Sequence, residues 1–379
     1  RAMTTLSADS CSIALLGDLI LGEPEPDFFF ERARAVLNSK DLVVGHLEVP
    51  HTHHGRELAF DVPAEPHDPE RLSALARAGV HVATLAGNHI YDFGREGIVD
   101  TLEALASAGV VTCGAGLDLE SACAPARVER RQQRVGILSY NCVGPREAFA
   151  QEGRAGCAYV RIVSTVTGEE VGPQTKELQA TIPASDSLEE LSRAIERLAR
   201  EVDVVVVALH KGIVHTPALL AGYERPIARA AIEAGAHIVV GHHAHILRGI
   251  ELWRGRPIFH GLGNFVTVTR ALNLDNPHPA RARWAEERRK RFGFTPDPLY
   301  SNYPFHPEAK HALIADCRVS ARGEIDAGYL PCWILPSGQP EPCGRDARGQ
   351  AVFDYVAEIS QRAGFATEFA WQGDRVLVR

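Results

Sequence analysis

Ala236-His237-Ile238-Val239-Val240-Gly241-His242-His243-Ala244-His245 is a short apolar run that ends in three imidazoles within four residues. Its apolar part, Ala236 to Val240, reads as a buried strand. Imidazoles at a strand end are hard to explain by packing, because each needs a polar partner once buried. Working outward, the arrangement recurs. Asp18 follows Ser12-Ile13-Ala14-Leu15-Leu16, His46 and Glu48 follow Val43-Val44, Asn88 and His89 follow Leu85-Ala86-Gly87, and His210 follows Val206-Val207-Ala208-Leu209. Helical patterns lie between these runs, at 27–37, 69–78, 94–108, 186–200 and 224–233, with Asp186 placed to cap the fourth. Such alternation predicts an α/β fold with helices outside the sheet. In α/β sheets the carboxyl ends of the strands face the ligand crevice. Five strands therefore carry carboxylate, amide and imidazole groups to one edge, a donor set suited to a transition metal such as Mn, Fe or Zn.

Composition narrows the function classes. The chain has 379 residues, 45% hydrophobic and 23% charged, which is ordinary for a globular protein. Lys and Arg total 40 against 48 Asp and Glu, a net charge of −8. An acidic chain without a basic, stacking-rich groove argues against a nucleic-acid partner. No apolar run approaches the roughly 20 residues of a membrane span. Arg1-Ala2 ahead of Met3 read as a cloning remnant, no basic leader follows, and a cytoplasmic location is expected. Eight cysteines without a C-x-x-C pair point to reduced thiols, with Cys113 and Cys142 as small core residues. The organisation expected is a remnant and disordered start at 1–11, then a main domain at 12–335 interrupted by insertions near 145–183 and 273–307. A helix-and-strand extension at 336–379 should pack on the same domain.

Several polar residues have plainer readings. His51-Thr52-His53-His54 suits a solvated loop, and His46 and His215 taken singly are as readily structural as functional. The run Arg281–Arg291 reads first as a solvated helix with internal ion pairs. Its second reading is a lid whose arginines meet a carboxylate or phosphate.

The ordered motifs Gly17-Asp18, Leu47-Glu48-Val49-Pro50, Gly87-Asn88-His89-Ile90-Tyr91-Asp92-Phe93-Gly94, His210-Lys211-Gly212, Gly241-His242-His243-Ala244-His245 and Gly261-Leu262-Gly263-Asn264-Phe265 resemble those of the CapA-type family of poly-γ-glutamate, or capsule, biosynthesis proteins. The resemblance runs from about Ile13 to Val266. It implies a four-layer αββα sandwich like that of calcineurin-like metallophosphatases, with two divalent ions at the strand ends. Asp18 and Glu48 would be carboxylate ligands, Asn88, His210 and His243 would complete one ion, and His245 would serve the other. His89, paired with Asp92, would be the general acid or would steady the transition state. The family's usual residues are replaced at three positions. His46 stands for Asn and could add a ligand, Lys211 stands for Trp and could contact an anion, and His260 stands for Ser beside the site. His242 is a further possible ligand. Ile20 stands where the superfamily usually has a second His. The activity implied is metal-assisted hydrolysis of an anionic small molecule, peptide or polyglutamate-like substrate. The competing reading is a non-catalytic assembly or binding subunit with a structural metal.

Overall fold

The computed structural model describes residues 10–379 except 59–61, 173–174, 176 and 271. The expected disordered start lies, for residues 1–9, outside the described residues. The main strands in chain order are β1 (Cys11–Leu21), β2 (Leu42–Leu47), β3 (Val82–Thr84), β4 (Val111–Cys113), β5 (Ala126–Arg130), β6 (Gln133–Asn141), β7 (Val204–Lys211), β8 (Ile238–His243), β9 (Ile250–Trp253), β10 (Arg256–Phe259), β11 (Asn264–Val268), β12 (His311–Val319), β13 (Gly328–Ile334), β14 (Phe369–Gln372) and β15 (Arg375–Val378). The long helices are α1 (Gly94–Ser107), α2 (Ser185–Ala199), α3 (Glu224–Glu233), α4 (Pro279–Phe292) and α5 (Ala347–Arg362).

The strands form two principal sheets. One has the order β14-β15-β13-β12-β1-β2-β3-β4, with β11 also on β1; the other runs β9-β10-β8-β7-β6-β5. The central pairs β1–β2, β2–β3, β6–β7 and β7–β8 are parallel and covered on both faces, which explains their continuous apolar sequences. Side chains alternate along each strand. Ile13 and Leu15 of β1 meet Val135 and Ile137 of β6 and Val206 of β7 between the sheets. Ala14 and Leu16 point the other way, to a core with Leu75, Ile98 and Leu105. The outward face of the second sheet, with Leu138, Val205 and Val207, buries Leu191 and Ile195 of α2 and Ile227 of α3. Helix, sheet, sheet, helix is the αββα order expected. The C-terminal segment adds β14 and β15 to the large sheet and Val352, Val356 and Ile359 of α5 to the inter-sheet core.

Local differences have local causes. The expected helix 27–37 is two short helices, Pro26–Phe30 and Arg34–Asn38, because the hydrogen bonds tighten to i→i−3 at Glu31 and Ala33. Likewise 69–78 begins as a 3₁₀ turn and becomes α-helical at Ser73. Asp186 does not cap α2: the N-cap is Ala184, and the Asp186 carboxylate pairs with Arg161. His51 and Thr52 are not a solvated loop but fully buried, with the His51 N–H donated to Thr101 Oγ1 at 2.8 Å; only His53 and His54 reach solvent. All eight cysteines are free, and Cys113 and Cys142 are buried. Among the described residues no helix is long and apolar enough to cross a membrane.

Candidate active site and metal centre

β1 changes partner where its chemistry begins. Cys11 to Leu15 pair with β12, whereas Asp18 onward pairs with β11, and Asp18 lies opposite Asn264 on one side and His46 on the other. Gly17 permits this crossing, since a Cβ there would lie 2.3 Å from the Gly263 carbonyl oxygen. In the second sheet, β7 and β8 set His210 opposite His242 and Lys211 opposite His243. Both sheets thus deliver their carboxyl ends to one place.

The centre is a pair of buried carboxylates and an imidazole. His245 Nε2 lies 3.1 Å from Glu48 Oε1, and its Nδ1 lies 3.4 Å from Asp18 Oδ2. Asn264 accepts the Nδ1–H through Oδ1 at 2.9 Å while donating its own Nδ2–H to the Tyr303 hydroxyl at 2.9 Å. This leaves Nε2 to face Glu48 or a metal. Asp18, Glu48 and His245 can each offer one ligand atom, all within 4.8 Å of one another. Asp18 Oδ2, Glu48 Oε2 and His243 Nδ1 are buried without a hydrogen-bond partner among the described residues. Orphaned buried acceptors of this kind are costly unless a cation satisfies them, so the residues present fit a divalent ion. The electrostatics agree. Burial, then the neighbouring Glu48 charge, pushes the Asp18 carboxyl up to about 7. Burial would raise Glu48 too, but His245 beside it brings it down to about 2.

Around this centre the imidazoles are neutral and linked. Burial pulls His46, His242 and His243 down to about 3 and His210 well below its usual value. His46 Nδ1 meets Thr84 Oγ1 at 3.0 Å and its Nε2 meets His210 Nδ1 at 2.9 Å. His210 Nε2 in turn lies 2.7 Å from Asn88 Oδ1, and Asn88 donates its Nδ2–H to His89 Nε2 at 3.0 Å. The chain ends at Asp92, whose Oδ2 accepts the His89 Nδ1–H at 2.8 Å. His46 thus has both ring nitrogens engaged, by Thr84 and His210, and His242 sits 3.1 Å from Asp18 Oδ1, stacked on His46. His210 has both ring nitrogens engaged by protein.

Two expected contacts lie elsewhere. Lys211 is fully buried and donates to Glu224 Oε2 at 2.9 Å, so its charge is spent inside the protein and not on a substrate anion. His260 is not beside the site: its Nε2 bonds Glu251 at 3.0 Å and its ring stacks on Phe365.

The cluster opens into a pocket whose floor includes Glu48, Asn88, His89 and His245 and whose roof is α4. The solvated reading of 281–291 fails for Arg281 and Arg288, which are buried, and holds for Glu286, Arg289 and Lys290. Asn264 was assigned no role from the sequence, although Gly261-Leu262-Gly263-Asn264-Phe265 was one of the motifs of the family resemblance.

A family model described as "Bacterial capsule synthesis protein PGA_cap" matches residues 12–269. The chain belongs to this capsule synthesis family. Its similar relatives include a Mycobacterium tuberculosis protein named "Probable polyglutamine synthesis accessory protein", 32% identical over 202 residues, 52% of this chain and 48% of that one. The Bacillus subtilis "PGA biosynthesis protein CapA" is 28% identical over 273 residues, 69% of this chain and 64% of that one. The PGA_cap chain thus spans about half the length of the first relative and under two thirds of the second. Among solved structures, a calcineurin-like phosphoesterase of Bacillus subtilis aligns over 93% of this chain and 97% of its own, at 13% identity and a TM-score of 0.39.

Proposed function

We propose that this member of the PGA_cap family is a metal-dependent hydrolase of an anionic substrate, a phosphoester or a γ-glutamyl-type amide, serving as a tailoring enzyme related to the poly-γ-glutamate proteins. The observation that carries this reading is the His89–Asp92 dyad at the edge of a pocket floored by orphaned carboxylate oxygens. Asp18, Glu48 and His245 would hold one divalent ion, and Asn88, His210 and His243 would contribute to a second once His210 is released from its protein partners. Bound there, such an ion supplies Lewis acidity toward a substrate oxygen and lowers the pKa of a water. Asp92 fixes the Nδ1–H tautomer of His89 and steadies the imidazolium that forms when Nε2 takes a proton. As the oxygen of a water bonds to phosphorus or carbonyl carbon and gives up a proton, His89 passes its Nε2 proton to the leaving oxygen or nitrogen, whose bond to that centre breaks.

The test is a screen of phosphoesters and γ-glutamyl amides with metal content measured in parallel. Turnover should fall in His89→Ala with metal retained, whereas Asp18→Ala should lose both. Equal turnover in His89→Ala and the parent defeats the assignment. The name of the mycobacterial relative favours a second reading, an accessory subunit of a polymer-forming assembly. Copurification with a ligase, together with no turnover in the screen, would select it.

A further inference from the structure

The roof of the pocket carries a charge that the hydrolase reading does not use. Arg288 of α4 is 5% exposed and lines the pocket. Among the described residues it meets no carboxylate: Nη1 donates to the Pro304 carbonyl at 2.8 Å and Nη2 to His215 Nε2 at 3.0 Å. Burial alone pulls its guanidinium down to about 10, with no anion to offset it. A guanidinium can only donate, so His215 Nε2 accepts and the proton of that ring sits on Nδ1. His215 Nδ1 is buried without a hydrogen-bond partner among the described residues, and so is Trp284 Nε1. Trp284 stands one helical turn before Arg288, on the same face of α4. Both residues line the pocket. One end of the pocket thus presents a buried cation and two unused N–H donors, and among the described residues no acceptor that receives those two donors.

Burying an unpaired charge and leaving donors unmade are both expensive, and one bound anion relieves all three. Much of the wall is apolar, with Val49, Val214, Leu272, Phe292 and Phe305, and Arg291 also lines it. The acids that line the pocket lie elsewhere: Glu48 is on the floor beside His245, Asp92 accepts from His89, and Glu65 is turned to Arg281 at 3.5 Å. We propose that Arg288, Trp284 and His215 form an anchoring subsite for a single anionic group, carboxylate or phosphate, borne on an apolar body that fills the pocket. The anchor is close to the candidate metal centre. The His215 ring lies 6.1 Å from that of His245, and Phe305 packs 5.0 Å from the same ring. This deepens the hydrolase reading by naming its substrate class: an amphiphile with an apolar body and an anionic group held at the anchor.

The test is calorimetric titration of the full chain after chelator treatment, so that neither turnover nor metal coordination contributes. The probes are 4-phenylbutyrate, its neutral amide, phenyl phosphate and tri-γ-glutamate. At least one aryl anion should bind about tenfold more tightly than the amide, equivalent to about 1.4 kcal/mol. That ratio should fall to near one in Arg288→Gln. Trp284→Phe keeps the ring and removes the donor, and should weaken the same anion about threefold. Tri-γ-glutamate should bind at least about tenfold more weakly than that anion. Equal binding of both aryl anions and the amide, or tri-γ-glutamate binding as tightly as the aryl anions, overturns the proposal. The comparison of probes on the unaltered chain decides the matter even if Arg288→Gln does not fold. Failure here leaves the hydrolase reading standing, and absence of turnover leaves this result unaffected.

Discussion

Glu224 and Glu48 are both buried carboxylates at the carboxyl end of the same sandwich, yet their surroundings are built differently. Glu224 has a partner on each oxygen. Lys211 donates to Oε2 at 2.9 Å, while Arg248 at 3.2 Å and the Ala221 N–H at 2.7 Å serve Oε1. Two cations surround one anion, and Arg248 also donates to the Ile213 carbonyl at 3.1 Å, tying down the loop after β7. Glu48 has only His245 on Oε1, nothing on Oε2 among the described residues, and a second carboxylate, Asp18, beside it. The first cluster is closed in that it neutralises its own carboxylate, with Arg248 Nε the atom left without a hydrogen-bond partner among the described residues. The second is left open, and it is the one that faces the pocket. Saturated polar networks hold a fold together, whereas under-neutralised ones await a ligand.

The contrast can be broken at several points. The largest effect belongs to the closed cluster. Glu224→Ala strands Lys211 and Arg248 in the interior and should cost about 3–5 kcal/mol in urea unfolding, with metal binding by the folded fraction unchanged. A loss under about 1 kcal/mol would mean that these charges find water. In the open cluster, His89→Ala should lower turnover by about 10²–10⁴ while the metal stays, the range expected of a general acid. Asp18→Asn should do the opposite: metal content falls, while the metal-free protein unfolds at the same or a higher temperature because a carboxylate repulsion is gone. A marked loss of metal-free stability in Asp18→Asn would show that the two clusters are alike after all.

The smallest and most diagnostic effect concerns acid. Burial would raise Glu224, but Arg248 and Lys211 bring it down to about 2 in the folded protein, against about 4.5 unfolded. A depressed carboxyl stabilises the fold above its unfolded pKa, and that contribution disappears as pH falls from about 4.5 toward 2. Stability against pH should therefore drop across this window in the parent. The drop should be shallower in Glu224→Gln, which has no carboxyl to titrate.

The open cluster was largely legible in the sequence, and the closed one was not. Asp18, Glu48, Asn88, His89, His210, His243 and His245 each follow an apolar run directly, so a strand end is their only sensible place. The second sheet was legible in the β-branched run Val204–Val207. Lys211, Glu224, Arg248 and Glu251 come together from β7, α3, the loop between β8 and β9, and β9, and no periodicity links them. Lys211 and His260 were read toward the substrate because they replace family residues beside site motifs. Lys211 follows His210 in β7, and in a strand the next side chain turns to the opposite face; His260 lies just past β10, and both enter the closed network. His51 looked solvated because what buries it is Thr101 on α1, fifty residues away. The roof was illegible for a similar reason. The charges of α4 surround the whole helix, so composition cannot tell that Arg281 and Arg288 turn inward while Arg289 and Lys290 do not.

His243 and His245 both hold the left-handed backbone conformation, with φ of 87° and 53°. For side chains other than glycine this costs about 1–3 kcal/mol at each position. For an engineer this makes the turn a bargaining point. Glycine at either position would relax the backbone and raise heat tolerance, and each such gain would remove an imidazole from the pocket floor. Efforts to harden the protein by directed evolution on stability alone will drift toward that exchange, so such a selection must also demand a working site.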